Sequence, residues 1–80
     1  MATVIFSSEL QRLTGEERTE VAAKTYRELL DQVTARYPSL DRQELMGMAV
    51  AIDGEIIHDP LLETVRPASE VHFLYRISGG

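Results

Sequence analysis

The stretch TYRELLDQVTARYP, residues 25–38, decides the fold of this chain. Thr25 and Glu28 have the spacing of a capping box, so we expect a helix with Thr25 as its N-cap. Pro38 disfavours helical geometry at the residue before it and ends the helix. The apolar positions at i, i+3, i+4, i+7 and i+11 form one stripe on a 3.6-residue period; they are Tyr26, Leu29, Leu30, Val33 and Tyr37. In so short a chain only a sheet could cover that stripe.

Upstream of this helix the sequence predicts two strands joined by a short helical excursion. Residues 3–6 are β-branched or aromatic at every position, which is typical of a strand. Residues 8–11 have capping-box spacing, and Gly15 ends a helix of two turns at most. We expect Leu10 and Leu13 to share its buried face. A second strand over 18–22 completes a hairpin-like pair.

Downstream, Asp53-Gly54 is a strong hairpin signal between a strand at 48–52 and a short strand at 55–57, since both turn residues tolerate positive φ. Residues 39–47 show no clear period and are predicted to be a loop with at most one helical turn. Four other apolar positions are predicted to pack, namely Met46, Leu61, Leu62 and Val65. A final strand is expected over 70–76, with Val71 and Phe73 facing the core.

This order of elements predicts an α+β fold of the β-grasp type. The expected sheet is mixed and four- to five-stranded, crossed by one main amphipathic helix, with a short extra helix beside it. We expect one domain over residues 1–76 and a flexible tail at 77–80.

Composition excludes several kinds of function. The 80 residues contain no cysteine, so the chain has no side-chain thiol for nucleophilic or redox chemistry. The net charge of −5 disfavours nucleic acid or an anionic membrane as a partner and favours a basic protein surface. No apolar run approaches about 18 residues, and the N-terminus lacks a secretory signal, so we expect a cytoplasmic protein.

The chain resembles the ubiquitin-like sulfur carriers, a family that includes the small subunit of molybdopterin synthase and the thiamine-pathway sulfur carrier. The features that carry the resemblance are the opening strand, the capped helix, the hairpin at 51–55, and Glu70-Val71 leading to Ile-Ser-Gly-Gly at 77–80. The family usually has Asn in place of Asp53, and Gly-Asp where this chain has Ala68-Ser69. The extra helix and the length look more like the molybdopterin synthase subunit.

The resemblance implies a reaction at the C-terminus. An E1-like adenylating enzyme would use ATP to adenylate the carboxylate of Gly80, and sulfur from a persulfide donor would then convert it to a thiocarboxylate. The large subunit of molybdopterin synthase, or an equivalent acceptor enzyme, would receive that sulfur. Ile77, Ser78 and Gly79 would thread into the partner's channel, where a side chain on either glycine would obstruct the approach. The chain would bind no cofactor and would not be an enzyme on its own.

The resemblance also implies where a partner docks. Strand alternation places His72, Leu74 and Arg76 on the face away from the core, with Leu74 an exposed apolar residue six positions before Gly80. An exposed leucine on a small domain is common, so an inert surface position is the competing interpretation.

Three alternatives stay open. The chain could carry sulfur for thiamine or cysteine synthesis, or act as a protein modifier through the same tail. It could also be a ubiquitin-like interaction module with an inert tail.

The sequence does not predict a metal site. His58 and His72 are the only histidines, and no acidic pair is spaced to join them as ligands.

Overall fold

The computed structural model describes residues 1–58 and 60–74, and this part of the chain forms five strands and three helices. In chain order they are β1 (Ala2–Ile5), α1 (Ser8–Thr14), β2 (Arg18–Val21), α2 (Tyr26–Arg36), α3 (Arg42–Met46), β3 (Ala49–Ile52), β4 (Glu55–Ile57) and β5 (Glu70–Leu74).

The strands form one mixed sheet in the order β2-β1-β5-β3-β4. β5 runs parallel to β1 and antiparallel to β3, and the two outer pairs are antiparallel. Val71 on β5 lies between Val4 on β1 and Ile52 on β3. The strand that leads to the tail is therefore the central one, hydrogen-bonded on both sides. The prediction of a mixed sheet of four to five strands is confirmed.

The core lies between one face of this sheet and α2. The predicted apolar stripe of α2 is buried throughout, together with residues of the sheet such as Val50 and Phe73. The helix begins as predicted, because Thr25 Oγ1 accepts the N–H of Glu28 at 3.2 Å. Pro38 follows the end of α2 at Arg36.

Two of the local helix predictions need correction. The capping box predicted at residues 8–11 would make Ser8 the N-cap of α1, but the N-cap is Ser7, whose extended backbone lets Oγ accept the N–H of Leu10 at 3.4 Å. Leu13 does not share the buried face of Leu10 and is 47% exposed. Three residues turn a helix by about 300°, and the core meets only the side that carries Leu10.

The helical turn that the sequence allowed within the predicted loop at 39–47 is present as α3. Its N-cap is Asp41, whose Oδ1 accepts the N–H of Gln43 at 3.0 Å. Only Leu45 is buried in this five-residue helix, so its sequence has no periodic stripe that would reveal it. Met46, predicted to pack, is 43% exposed, because it follows the one buried position.

Leu62 was predicted to be a core residue and is 86% exposed. Pro60 is buried and Leu61 packs against the core, so these two neighbours occupy the interior of the turn in place of Leu62. Val65 is buried as predicted.

The β3–β4 hairpin turns at Asp53 and Gly54, with φ of 51° and 84°. Both φ values are positive, as the sequence predicted. The Asp53 carboxylate accepts the Ser69 hydroxyl through Oδ2 and the Glu70 N–H through Oδ1, each at 2.9 Å. Two positions that depart from the sulfur-carrier pattern thus contact each other and join the hairpin to the start of β5.

These hydrogen bonds lower the pKa of Asp53 below its ordinary value of 3.8, the Glu70 N–H first and the Ser69 hydroxyl second. A carboxyl group whose pKa is lower in the folded state than in the unfolded state stabilises the fold at pH values above its unfolded-state pKa. That stabilisation is lost as the pH falls through the folded-state pKa. We therefore expect Asp53→Asn to flatten the loss of stability below about pH 4. Thermal unfolding of both proteins from neutral to acidic pH measures this. An unchanged acid profile in the variant would contradict it, and Asp41→Asn is the control.

Candidate functional site

The strand β5 presents two of the predicted docking residues on the face of the sheet away from α2. Val71 and Phe73 are buried in the core, and His72 and Leu74 lie on the opposite face, as the alternation predicted. Leu74 was expected to be exposed and is half-buried. It is partly covered because β5 is a central strand, with Ala49 of β3 directly opposite Leu74.

The strand register aligns a row of side chains with His72 across this face. Ile5 lies beside His72 on β1, Ala51 on β3, and Ile56 follows on β4. Ile5 and Ala51 are half-buried, whereas Ile56 is 59% exposed. We call Ile5, His72, Ala51, Ile56 and Leu74 the open face. Sequence reasoning missed Ile5, Ala51 and Ile56, because they join His72 only when the strand register is known.

The open face has the character of a binding surface. Four of its five members are apolar, and Arg18 of β2 continues the row beside Ile5. The buried members of all three helices belong to the core on the opposite side of the sheet, so the described helices leave the open face uncovered. A partner could bury this patch without displacing any element of the fold.

The remaining predicted site residues lie outside the described part of the chain. Arg76, predicted to dock, is one of them. So are the threading residues Ile77, Ser78 and Gly79, the reactive Gly80, and the predicted boundary between domain and tail. Their roles stay predictions.

Within residues 1–58 and 60–74, no three His, Asp or Glu side chains are placed to hold a metal ion. No helix formed by these residues is both long enough and apolar enough to cross a membrane.

A family model described as the ThiS family matches residues 4–80, nearly the entire sequence. The chain belongs to the ThiS family. The predicted resemblance to the ubiquitin-like sulfur carriers is therefore confirmed. Small carriers of the ThiS family are in general not catalysts themselves. No curated protein matches the sequence.

Solved structures support the ubiquitin-like β-grasp fold of this ThiS-family chain. A chain of the Amycolatopsis orientalis BexX/CysO complex is 24% identical, with a TM-score of 0.81 and 100% of both chains covered. The small archaeal modifier protein SAMP1 from Methanosarcina acetivorans is 18% identical, with a TM-score of 0.79 over 99% of this chain and 95% of that one. A protein described as molybdopterin converting factor subunit 1 from Pyrococcus furiosus is 15% identical, with a TM-score of 0.74 over 95% and 97%.

Proposed function

We propose that this chain is a sulfur carrier whose C-terminal Gly80 carboxylate is adenylated and then converted to a thiocarboxylate that donates sulfur. The observation that carries the proposal is that the ThiS-family match continues through Ile77, Ser78 and Gly79 to Gly80. The proposal takes Gly80 as the terminal residue of the protein. It assigns the chain to the cytoplasm, where ATP is available to the partner enzyme.

The chemistry requires activation because a carboxylate is anionic and resonance-stabilised, and is therefore a poor electrophile. In the adenylating enzyme a Gly80 carboxylate oxygen attacks the α-phosphorus of ATP, and pyrophosphate leaves. The outer sulfur of the donor's persulfide then attacks the carbonyl carbon, and the C–O bond to AMP breaks to give an acyl disulfide. A thiol of the donor enzyme or of a reductant attacks the sulfur bound to the donor, so that the S–S bond breaks and the thiocarboxylate is left on Gly80. The chain supplies no thiol to this sequence, since it contains no cysteine. Its contribution is to present Gly80 to each partner.

The open face supplies the docking surface for these partners. Members of the family act with E1-like adenylating enzymes and with acceptor enzymes. Leu74 lies six residues before Gly80, and six extended residues span about 20 Å. A partner that binds Leu74 can therefore receive the carboxylate in a pocket at that depth, with Ile77, Ser78 and Gly79 in the channel and Arg76 at its mouth.

Replacing Leu74 by glutamate is expected to weaken binding to the adenylating enzyme by tenfold or more. A charge at the centre of an apolar contact loses its hydration without gaining a partner. Titration calorimetry with the purified adenylating enzyme measures the change. Leu62→Glu is the matched control, because Leu62 is exposed and lies outside the open face. If both variants bound the adenylating enzyme with equal affinity, the assignment of Leu74 to the docking surface would be wrong.

Within this function we propose the role of small subunit of molybdopterin synthase, with its large subunit as acceptor. The short α1 after the first strand and the length of 80 residues support this choice. A carrier for thiamine or cysteine synthesis, or a protein modifier, would use the same tail. The fold likeness to SAMP1 favours the modifier as the second candidate.

Intact-mass measurement tests the proposal directly. The chain is incubated with an adenylating enzyme, ATP, a persulfide sulfur donor and a thiol reductant, and a mass increase equal to one oxygen exchanged for sulfur is expected. A chain of unchanged mass, under conditions that modify an established carrier, would support an inert interaction module. Supplying the thiocarboxylate form to the large subunit of molybdopterin synthase and a pterin precursor then separates this pathway from the others.

A further inference from the structure

The two edges of the sheet differ in how their backbone groups are satisfied. β2 and β4 are the edge strands of the described sheet. Every second residue of an edge strand directs its N–H and C=O groups away from the sheet, where another strand can bind them.

The β2 edge is closed by side chains of α2. Phe6 and Glu17 form a hydrogen-bonded pair, because the Phe6 N–H donates to the Glu17 carbonyl at 2.9 Å. Hydrogen-bonded pairs alternate along an antiparallel ladder, so Glu20 and Ala22 direct their carbonyls away from β1. Arg36 Nη1 donates to the Glu20 carbonyl at 2.8 Å. Gln32 Nε2 donates to the Ala22 carbonyl at 2.5 Å. An incoming strand would have to displace both bonds.

In the described part of the chain, the β4 edge has no such cover. The two-residue turn makes Ile52 and Glu55 a hydrogen-bonded pair, so Ile56, one residue on, directs its N–H and C=O outward. The pairing of β3 with β5 leads to the same orientation. The Asp53 N–H donates to the Glu70 carbonyl, so the backbone groups of Ala51, two residues before Asp53, are directed to β5 and not to Ile56. Within the described residues no side chain or loop bonds to the backbone of Ile56.

The side chains along β4 define what could pair with this edge. Ile56 is on the open face and 59% exposed. Glu55 and Ile57 point to the other face, beside a cavity of about 430 Å³ that Glu63 also lines. Arg66 and Asp53 also line this cavity. Both carboxylate oxygens of Asp53 already accept hydrogen bonds, one from the Ser69 hydroxyl and one from the Glu70 N–H.

We propose that the β4 edge is a strand-addition site for an extended segment of a partner protein in which one apolar residue stands between two basic residues. The apolar residue pairs with Ile56 and exchanges two backbone hydrogen bonds with it. Its neighbours alternate to the other face, where their cationic side chains meet the carboxylates of Glu55 and Glu63. This proposal does not depend on the chemistry proposed at Gly80.

Charge argues against a second copy of this chain as the occupant. Two β4 strands paired through Ile56 would bring Glu55 and Glu63 of both copies to one side of the joined sheet. Each copy also carries a net charge of −5. Like charges on adjacent strands disfavour pairing, whereas a basic segment is attracted.

Backbone NMR with synthetic peptides tests the site in the full-length chain. The probe is a capped peptide of alternating arginine and valine, and the control peptide replaces arginine with glutamate. We expect the probe to shift and protect the Ile56 amide from exchange, and the control peptide to leave it unchanged. Shifts centred on β2, or equal effects of both peptides, would overturn the proposal, as would dimerisation of the chain through β4 in sedimentation experiments.

Two kinds of variant separate backbone pairing from charge. Ile56→Pro removes the outward N–H, which an edge strand tolerates, and is expected to weaken probe binding at least tenfold. Glu63→Lys is expected to weaken it severalfold at low salt and less at high salt, whereas Glu20→Lys on the closed edge has the same net charge and should bind as the parent does. Thermal unfolding verifies that each variant is folded. If the two lysine variants weakened probe binding equally, the attraction would depend only on net charge, and the proposed site would be wrong.

Discussion

Deleting Gly80 is expected to abolish conversion of the chain to its thiocarboxylate, lowering the rate at least about a hundredfold. The new carboxylate on Gly79 would end one residue short, about 3.5 Å from the position that the nucleotide pocket requires. A misplacement of about 1 Å can already cost a hundredfold in a reaction between positioned groups. Pyrophosphate release and intact mass, both measured with the adenylating enzyme, report the two steps of the proposed reaction separately.

The matched control for this deletion is Ser78→Ala, which keeps the length of the tail and the terminal glycine. It should retain most of the activity. Neither change is expected to alter thermal unfolding, because the core that the described residues form extends from Ala2 to Phe73 along the chain. A large loss of stability on deleting Gly80 would mean that the tail has a structural role. Full activity of the shortened chain would contradict adenylation at Gly80.

Replacing Leu30 by alanine is expected to destabilise the fold by about 2–5 kcal/mol. Leu30 lies in the middle of α2 and is 0% exposed, so its removal leaves a cavity between the helix and the sheet. A domain of 80 residues has a free energy of unfolding of about 4–12 kcal/mol. The substitution therefore removes a large part of the total. Urea denaturation followed by circular dichroism measures the difference.

Leu62→Ala makes the same chemical change at a side chain that is 86% exposed. It should alter the free energy of unfolding by less than about 0.5 kcal/mol. The contrast tests the packing of α2 against the sheet, since helix propensity separates leucine from alanine only slightly. If both substitutions destabilised the chain to the same degree, the burial of Leu30 against the sheet would be wrong.

Features that depend on neighbouring residues were predictable from the sequence. The cap at Thr25, the apolar stripe of α2 and the positive φ of the Asp53-Gly54 turn are set by side-chain and backbone preferences within a few positions. Where the local signal was short, the prediction was incomplete or wrong. The position of α3 within the predicted loop was not predicted, because α3 buries one leucine in five residues. Leu62 was wrongly assigned to the core, on its residue type alone.

The candidate site was predictable only along its own strand. Alternation placed His72 and Leu74 together, and this holds in the structure. Ile5, Ala51 and Ile56 come from other strands, so no spacing in the sequence relates them to His72. The roles that the family resemblance implies for residues from 75 onward, including the two terminal glycines, stay predictions.

The sequence by itself therefore determined the main helix, the hairpin turn, the β-grasp class and the sulfur-carrier family, because turns, caps and helical periodicity are local and the family pattern is written along the chain. Only the tertiary structure decided which residues form the open face, and that Arg36 and Gln32 close the β2 edge while Ile56 leaves β4 open. Pairing between distant strands fixes these contacts, because the register decides which residues become neighbours and which backbone groups remain free.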